Sequence, residues 1–173
     1  MKPYRLIIFD RDGTLTYEEH NYHRDLSKVR PYPFVGGVLQ RLAAEGVRLA
    51  VATNQSGIGR GLWSRAEVDE LHNRLAKAWG VELTWHICPH LPGDGCDCRK
   101  PEAGLIRHSL SEYDCQPADA LFIGDALTDA QAASSAGIDF ALVLTGRGRA
   151  ALPDIGGQAV VLDTLAQLEN SRG

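Results

Sequence analysis

Two carboxylates two residues apart, Asp10 and Asp12, follow directly on the apolar run Leu6–Phe9 and open a Gly13-Thr14 turn. Turn chemistry alone accounts for Asp and Gly in such a place. So does a carboxylate nucleophile with a second carboxyl group beside it for proton transfer. Three other segments carry chemically competent groups. Thr53-Asn54-Gln55-Ser56-Gly57 offers a hydroxyl and amides as neutral donors to an anion. Cys88-Pro89-His90 and Cys96-Asp97-Cys98 run into Arg99-Lys100-Pro101. Gly124-Asp125 is followed four residues later by Asp129, and Asp125 taken alone reads as a helix cap.

The chemistry that uses all four segments is phosphoryl transfer. Asp10 attacks phosphorus and forms an aspartyl-phosphate, and Asp12 protonates the leaving alkoxide and then deprotonates the hydrolytic water. Mg²⁺, a hard cation, suits Asp10, Asp125 and a backbone carbonyl at Asp12. Thr53 and Lys100 supply donors for the phosphoryl oxygens. Gly57, Gly59 and Gly61 do not make a dinucleotide fingerprint, because their spacing is wrong and no suitable strand immediately precedes them.

Cys88, His90, Cys96 and Cys98 lie within eleven residues. Three cysteines and one histidine match a closed, structural Zn²⁺ site with no open position, against the alternative of reduced, unmetallated thiols. Such a site would pin Arg99 and Lys100 over the catalytic groups. Arg99, with its forked donors, is the candidate for holding the non-reacting part of a substrate, such as a second phosphate. Arg60, Arg147 and Arg149 read as solvent-facing. His20 and His23 read as loop residues, His72 and His108 as surface helix residues, the three tryptophans as packing groups, and Cys115 as structural.

These segments need a scaffold. The chain has 173 residues, enough for one domain that folds without disulfide staples. Strand-like runs at Leu6–Phe9, Arg48–Thr53, Leu83–Ile87, Ala120–Ile123, Phe140–Leu144 and Val160–Leu162 alternate with helical stretches at Val38–Glu45, Ser64–Gly80, Gly104–Tyr113, Thr128–Ala136 and Leu165–Asn170. Ser64 and Glu67 form a capping box ahead of Val68, Leu71, Leu75 and Ala78. The alternation predicts a single α/β domain over 1–173, doubly wound around a mostly parallel sheet, with a zinc loop at 88–98 and no sizeable cap domain. In such a sheet ligands bind beyond the carboxyl ends of the strands, where the four polar segments fall. A net charge of −4 argues against nucleic acid, and no apolar run nears the ~20 residues of a membrane span. The N-terminus lacks a secretory apolar stretch, so a cytoplasmic, monomeric protein is expected.

Asp10-Arg-Asp12-Gly-Thr14, Thr53, Lys100 and Gly124-Asp125, in that order, resemble the four motifs of the haloacid dehalogenase-like hydrolase superfamily. Asp12 resembles the aspartate of its phosphatases, where ion-pumping members have threonine. Thr53-Asn-Gln-Ser-Gly-Ile-Gly-Arg-Gly61 and the Cys-x-His…Cys-x-Cys-Arg-Lys-Pro101 segment are similar to the branch of heptose-bisphosphate and histidinol-phosphate phosphatases. That resemblance implies a small phosphorylated sugar as substrate. The 7-phosphate of D-glycero-D-manno-heptose 1,7-bisphosphate, a precursor of lipopolysaccharide or related glycans, is favoured over histidinol phosphate. It also implies that Tyr22 (in His20-Asn-Tyr22), Thr53, Asn54, Gln55, Ser56, Arg99 and Lys100 bind the substrate. The five residues between His90 and Cys96 are a short loop of the histidinol-phosphatase type. Two other classes remain: a non-catalytic zinc module, disfavoured by the charge balance, and a phospho-acceptor domain, disfavoured by Asp12.

Overall fold

The computed structural model describes residues 3–18 and 25–170. Six strands build one parallel sheet: β1 (Leu6–Phe9), β2 (Arg48–Asn54), β3 (Thr84–Cys88), β4 (Ala120–Gly124), β5 (Asp139–Val143) and β6 (Val160–Leu162), in the order β3-β2-β1-β4-β5-β6. Among the described residues six α-helices connect or flank them: α1 (Val35–Ala44), α2 (Ser56–Gly59), α3 (Arg65–Trp79), α4 (Gly104–Glu112), α5 (Leu127–Ala136) and α6 (Gly148–Ile155). The doubly wound architecture expected from the alternation is observed. Leu165–Asn170 forms a 3₁₀ turn instead of a standard helix.

Side chains alternate across a strand, so β1, although apolar at every position, feeds two cores. Ile7 and Phe9 face one side with Leu49, Val51, Leu121 and Ile123, against Val38, Leu39 and Leu42 of α1 and Leu71, Leu75 and Trp79 of α3. Leu6 and Ile8 face the other with Ala50, Ala52 and Phe122, against Leu105, Ile106 and Leu110 of α4 and Ala132 and Ala133 of α5. Helices on both faces leave only the strand ends open to a ligand. The chain runs outward from β1 through β2 to β3, then returns to place β4 on the other side of β1. The carboxyl ends of β1 and β4 therefore flank the point where the winding reverses, the usual crevice of such sheets.

Local chemistry fixes the connecting helices. Ser64 Oγ accepts from Glu67 N while Ser64 N donates to Glu67 Oε2 at 2.6 Å, the expected reciprocal cap of α3. Gly80, at φ +66°, ends that helix in the left-handed conformation. α1 starts at Val35, three residues before the position expected from periodicity, because Gly36 and Gly37 weaken the local helical signal. Gly36 is accommodated close to Trp79, whose Cδ1 lies 3.4 Å from where a β-carbon would be. Among the described residues, no helix is long and apolar enough to cross a membrane.

Candidate active site

The polar segments converge on a cleft of about 450 Å³ lined by Asp10, Asp12, Thr53, Arg99, Lys100 and Asp125, among others. Asp10 leaves the end of β1 with its N–H bonded to Ile123 O of β4. Its Oδ1 accepts from Lys100 Nζ at 2.7 Å, and the same ammonium lies 2.7 Å from Asp129 Oδ1. Lys100 is 4% exposed, and Asp125 and Asp129 are 2% and 1% exposed.

Asp129, four residues after Asp125 in the sequence, gains its role from the fold. As the third residue of α5 it accepts from Asp125 N and Ala126 N through Oδ2, capping the helix while Oδ1 holds Lys100. Asp125 Oδ2 accepts from Arg147 N at 2.7 Å.

Asp10, Asp125 and Asp129 present carboxylate oxygens within 4.8 Å of one another. Three acidic groups facing one ammonium would leave two negative charges uncompensated in a buried site. Burial, joined by repulsion from Asp129 and Asp12, pushes Asp10 up to about 7 even though Lys100 opposes the shift. Burial and the charges of Asp10 and Asp129 push Asp125 up to about 8. Burial alone would lower Lys100, but the carboxylates of Asp10 and Asp129 outweigh it and hold the ammonium above its ordinary range. A donor set of this charge fits a divalent, oxygen-seeking cation.

The Asp12 side chain is not part of that cluster. Arg11 Nε and Nη2 bind Asp12 Oδ1 and Oδ2 at 3.0 and 2.8 Å, Gln55 Nε2 reaches Oδ2 at 2.8 Å, and Thr16 Oγ1 reaches Oδ1 at 3.2 Å. With its carboxylate engaged in this way, Asp12 has its backbone carbonyl to offer a cation, and Asp129 is the third carboxylate beside Asp10 and Asp125.

Thr53 Oγ1 accepts from Gln55 Nε2, which leaves its hydroxyl proton to donate into the cleft. The Gln55 side chain also accepts from Arg11 Nη2, so it braces Asp12 and Thr53. Asn54 makes a reciprocal pair with the Lys100 backbone, Nδ2 donating to Lys100 O and Oδ1 accepting from Lys100 N, both at 3.1 Å. Its amide therefore fixes Lys100 in place. Ser56 is buried at the start of α2 and lines the cleft. Arg99 donates to His90 O and lines the mouth. Tyr22, His20 and His23 lie outside the described residues. Arg60 and Arg149 are exposed, as expected. Arg147 is 69% exposed yet lines the mouth, where it pairs with Glu18 at 2.5 Å.

His72 corrects the sequence reading. It is 1% exposed, not a surface residue, and its Nε2 lies 3.0 Å from Arg11 Nη1. Val68, Leu71, His72, Leu75 and Trp79 form the buried stripe of α3, so the helical period itself carried the signal. Arg11, 2% exposed, joins the site without any mark in the sequence. Nothing in its local spacing announces a contact 61 residues away.

Beside the cleft, Cys88, His90, Cys96 and Cys98 converge as expected. The Sγ–Sγ separations are 3.7, 3.0 and 3.6 Å, and His90 Nδ1 lies 3.6 and 3.2 Å from Cys88 and Cys98 sulfurs. A tetrahedral centre with metal–sulfur bonds of ~2.3 Å implies sulfur–sulfur edges of ~3.8 Å, so the cluster could hold zinc with little movement. All four cysteines are free thiols. Cys115 is separate and buried beyond the end of α4.

Two aspartates after β1 and a buried lysine stand together at the switch point of a parallel sheet, an arrangement that can serve phosphoryl transfer. The HAD-hydrolase-like family model matches residues 97–168. Over 153 residues, 86% of this chain and 87% of the relative, the sequence is 39% identical to a D-glycero-beta-D-manno-heptose-1,7-bisphosphate 7-phosphatase of Pseudomonas putida. It is 35% identical over 170 residues to the Neisseria meningitidis protein of that name, covering 93% of this chain and 90% of the relative. The crystal structure of D,D-heptose 1,7-bisphosphate phosphatase from Bordetella bronchiseptica, complexed with magnesium and phosphate, superposes with a TM-score of 0.89 at 34% identity over 96% of each chain. The chain belongs to the haloacid dehalogenase-like hydrolases, in their phosphatase branch.

Proposed function

We propose that the protein removes the 7-phosphate of D-glycero-D-manno-heptose 1,7-bisphosphate through a phosphoaspartyl intermediate on Asp10. The convergence of Asp10, Asp12 and Lys100 on one cleft carries the chemistry. The relatives' names, together with Arg99 and Arg147 at the mouth, support a substrate bearing a second phosphate.

Asp10 acts as its carboxylate. One oxygen forms the new bond to phosphorus as the bond to the sugar oxygen breaks, and Asp12, entering as the acid, gives its proton to that oxygen. Asp12, now a carboxylate, takes a proton from water as the water oxygen bonds phosphorus and the Asp10–phosphorus bond breaks. Inorganic phosphate leaves with both Asp10 oxygens restored. Lys100 and Thr53 donate to the phosphoryl oxygens, and Ser56 and the guanidinium of Arg99 orient the remainder of the substrate, with Tyr22 assigned to the same role. Magnesium, held by Asp10, Asp125 and the Asp12 carbonyl, would supply positive charge that lets an anionic nucleophile meet an anionic phosphate. Zinc on Cys88, His90, Cys96 and Cys98 would hold the loop that carries Arg99 and Lys100. The reducing cytoplasm is the compartment that suits those thiolates.

The test is a kcat/KM panel of both anomers of heptose 1,7-bisphosphate against histidinol phosphate, with magnesium. Preference for one heptose anomer is expected. Preference for histidinol phosphate, favoured only by the short zinc loop, would replace the substrate and leave the chemistry in place. Full activity in Asp10→Asn would remove the nucleophile assignment.

A further inference from the structure

We propose that His72 is a positioning residue for proton transfer, acting on Asp12 through Arg11. The inference rests on the reading of Asp12 as general acid.

A planar guanidinium fixes a carboxylate in direction as well as distance, because two parallel N–H bonds define one plane. Arg11 holds Asp12 in that way through Nε and Nη2, and its remaining terminal nitrogen, Nη1, meets His72 Nε2. Arginine can only donate, so Nε2 accepts and the ring proton sits on Nδ1. Burial, with the nearby Arg11 charge, pushes His72 down to about 2, so the ring stays neutral across the working range. The imidazole is itself fixed by face-to-face stacking on Trp85, centroids 3.9 Å apart and planes 11° apart. The Trp85, His72, Arg11 and Asp12 contacts therefore run from β3 and α3 to the loop after β1.

Two features distinguish this arrangement from ordinary packing. His72 Nδ1 is buried and has no hydrogen-bond partner among the described residues, an unfavourable state that a side chain serving only to fill space would not need. The acceptor is also neutral. A carboxylate at position 72 would compete with Asp12 for the guanidinium, whereas His72 and the Gln55 amide orient Arg11 without neutralising it. Among the described residues Asp12 is the acidic side chain paired with Arg11.

The experiment compares kcat/KM for the heptose bisphosphate, whose leaving alkoxide needs a proton, with p-nitrophenyl phosphate, whose leaving group does not. This ratio covers the step in which Asp12 acts as acid and excludes later hydrolysis. Asp12→Asn should lose roughly a hundredfold or more on the sugar phosphate and far less on the aryl ester. His72→Leu should show the same pattern at about tenfold, and His72→Gln, which restores an acceptor, should recover most of it. Should His72→Leu not fold, the ratio is read in Trp85→Leu, at a half-buried position; a shift in the same direction supports the proposal and an unchanged ratio overturns it. Equal losses on both substrates in Asp12→Asn would remove the general-acid reading and the inference with it. A selective loss in Asp12→Asn, with equal losses or none in His72→Leu, overturns the inference alone.

Discussion

A β-carbon on Gly13 would stand 2.0 Å from Asp125 Oδ2. The turn after β1 packs directly on the carboxylate after β4, and Gly13 also adopts φ +87°, a conformation that side chains disfavour by roughly 1–2 kcal/mol. Gly13→Ala should therefore displace Asp125 more than it destabilises the sheet. The expected outcome is a folded protein with at least tenfold lower kcat/KM and a raised magnesium concentration for half-maximal activity. Magnesium titration of activity checks it, and an unchanged half-saturation point would show that the contact does not govern the cation site.

The acidic cluster sets a pH dependence with a definite sign. Burial and carboxylate repulsion push Asp10 and Asp125 up to about 7 and about 8 in the folded protein, against about 3.9 for an aspartate in the unfolded chain. Between about pH 4 and 8 the folded state keeps protons that the unfolded chain has released, so the contribution of these groups to stability falls as pH rises. Binding of a divalent cation reverses that penalty. Thermal melts in magnesium-free buffer, without chelator so that the cysteine cluster is undisturbed, should give a lower Tm near pH 8 than near pH 5.5. The increase in Tm on adding magnesium should be larger at the higher pH. An increase that is larger at pH 5.5 would contradict the proposed cation set.

The cysteine–histidine cluster is joined to the cleft by sequence adjacency and by hydrogen bonds, Arg99 Nη1 donating to His90 O and Gln55 N to Cys88 O. Cys98→Ser should lose close to one equivalent of zinc while keeping the sheet, because Cys98 only flanks the core in which Cys88 is buried. The kcat/KM should fall about tenfold to a hundredfold, the usual scale for removing support around a site. Metal analysis and far-UV circular dichroism are read beside the kinetics. Zinc-free Cys98→Ser protein with full activity would show that Lys100 needs no such support.

Much of this was legible in the sequence because the strands are short, apolar and bounded by chemistry. The starts of β1, β2, β4 and β6 fall where the apolar runs begin, and the four polar segments fall at carboxyl ends as the α/β alternation requires. Two helices were not legible. α2 spans only Ser56–Gly59, too short for a period to show, and α6 carries Pro153 inside it. Asp129 was visible as a residue but not as the second partner of Lys100, because that pairing depends on α5 folding back across the ends of β1 and β4. Arg11 and His72 show the sharper limit. The helical period of α3 puts His72 beside the buried stripe although the residue type reads as surface, and only the packing of α3 against the loop after β1 gives its ring a cation to bind.

Asn54 separates two roles that the sequence could not tell apart. Resemblance assigns it to the substrate, whereas its amide is already spent on both backbone groups of Lys100. If it holds Lys100, Asn54→Ala should lower kcat about tenfold with little change in KM, because the ammonium is then misplaced for the transition state. A residue that binds the sugar would instead raise KM and spare kcat. Lys100→Met gives the control: it leaves Asp10 and Asp129 as buried carboxylates without their cation and should cost a hundredfold or more in kcat. Added to Lys100→Met, Asn54→Ala should then cost almost nothing further, since the group it positions is gone. Additive losses in the double variant would mean that Asn54 acts on the substrate independently of Lys100.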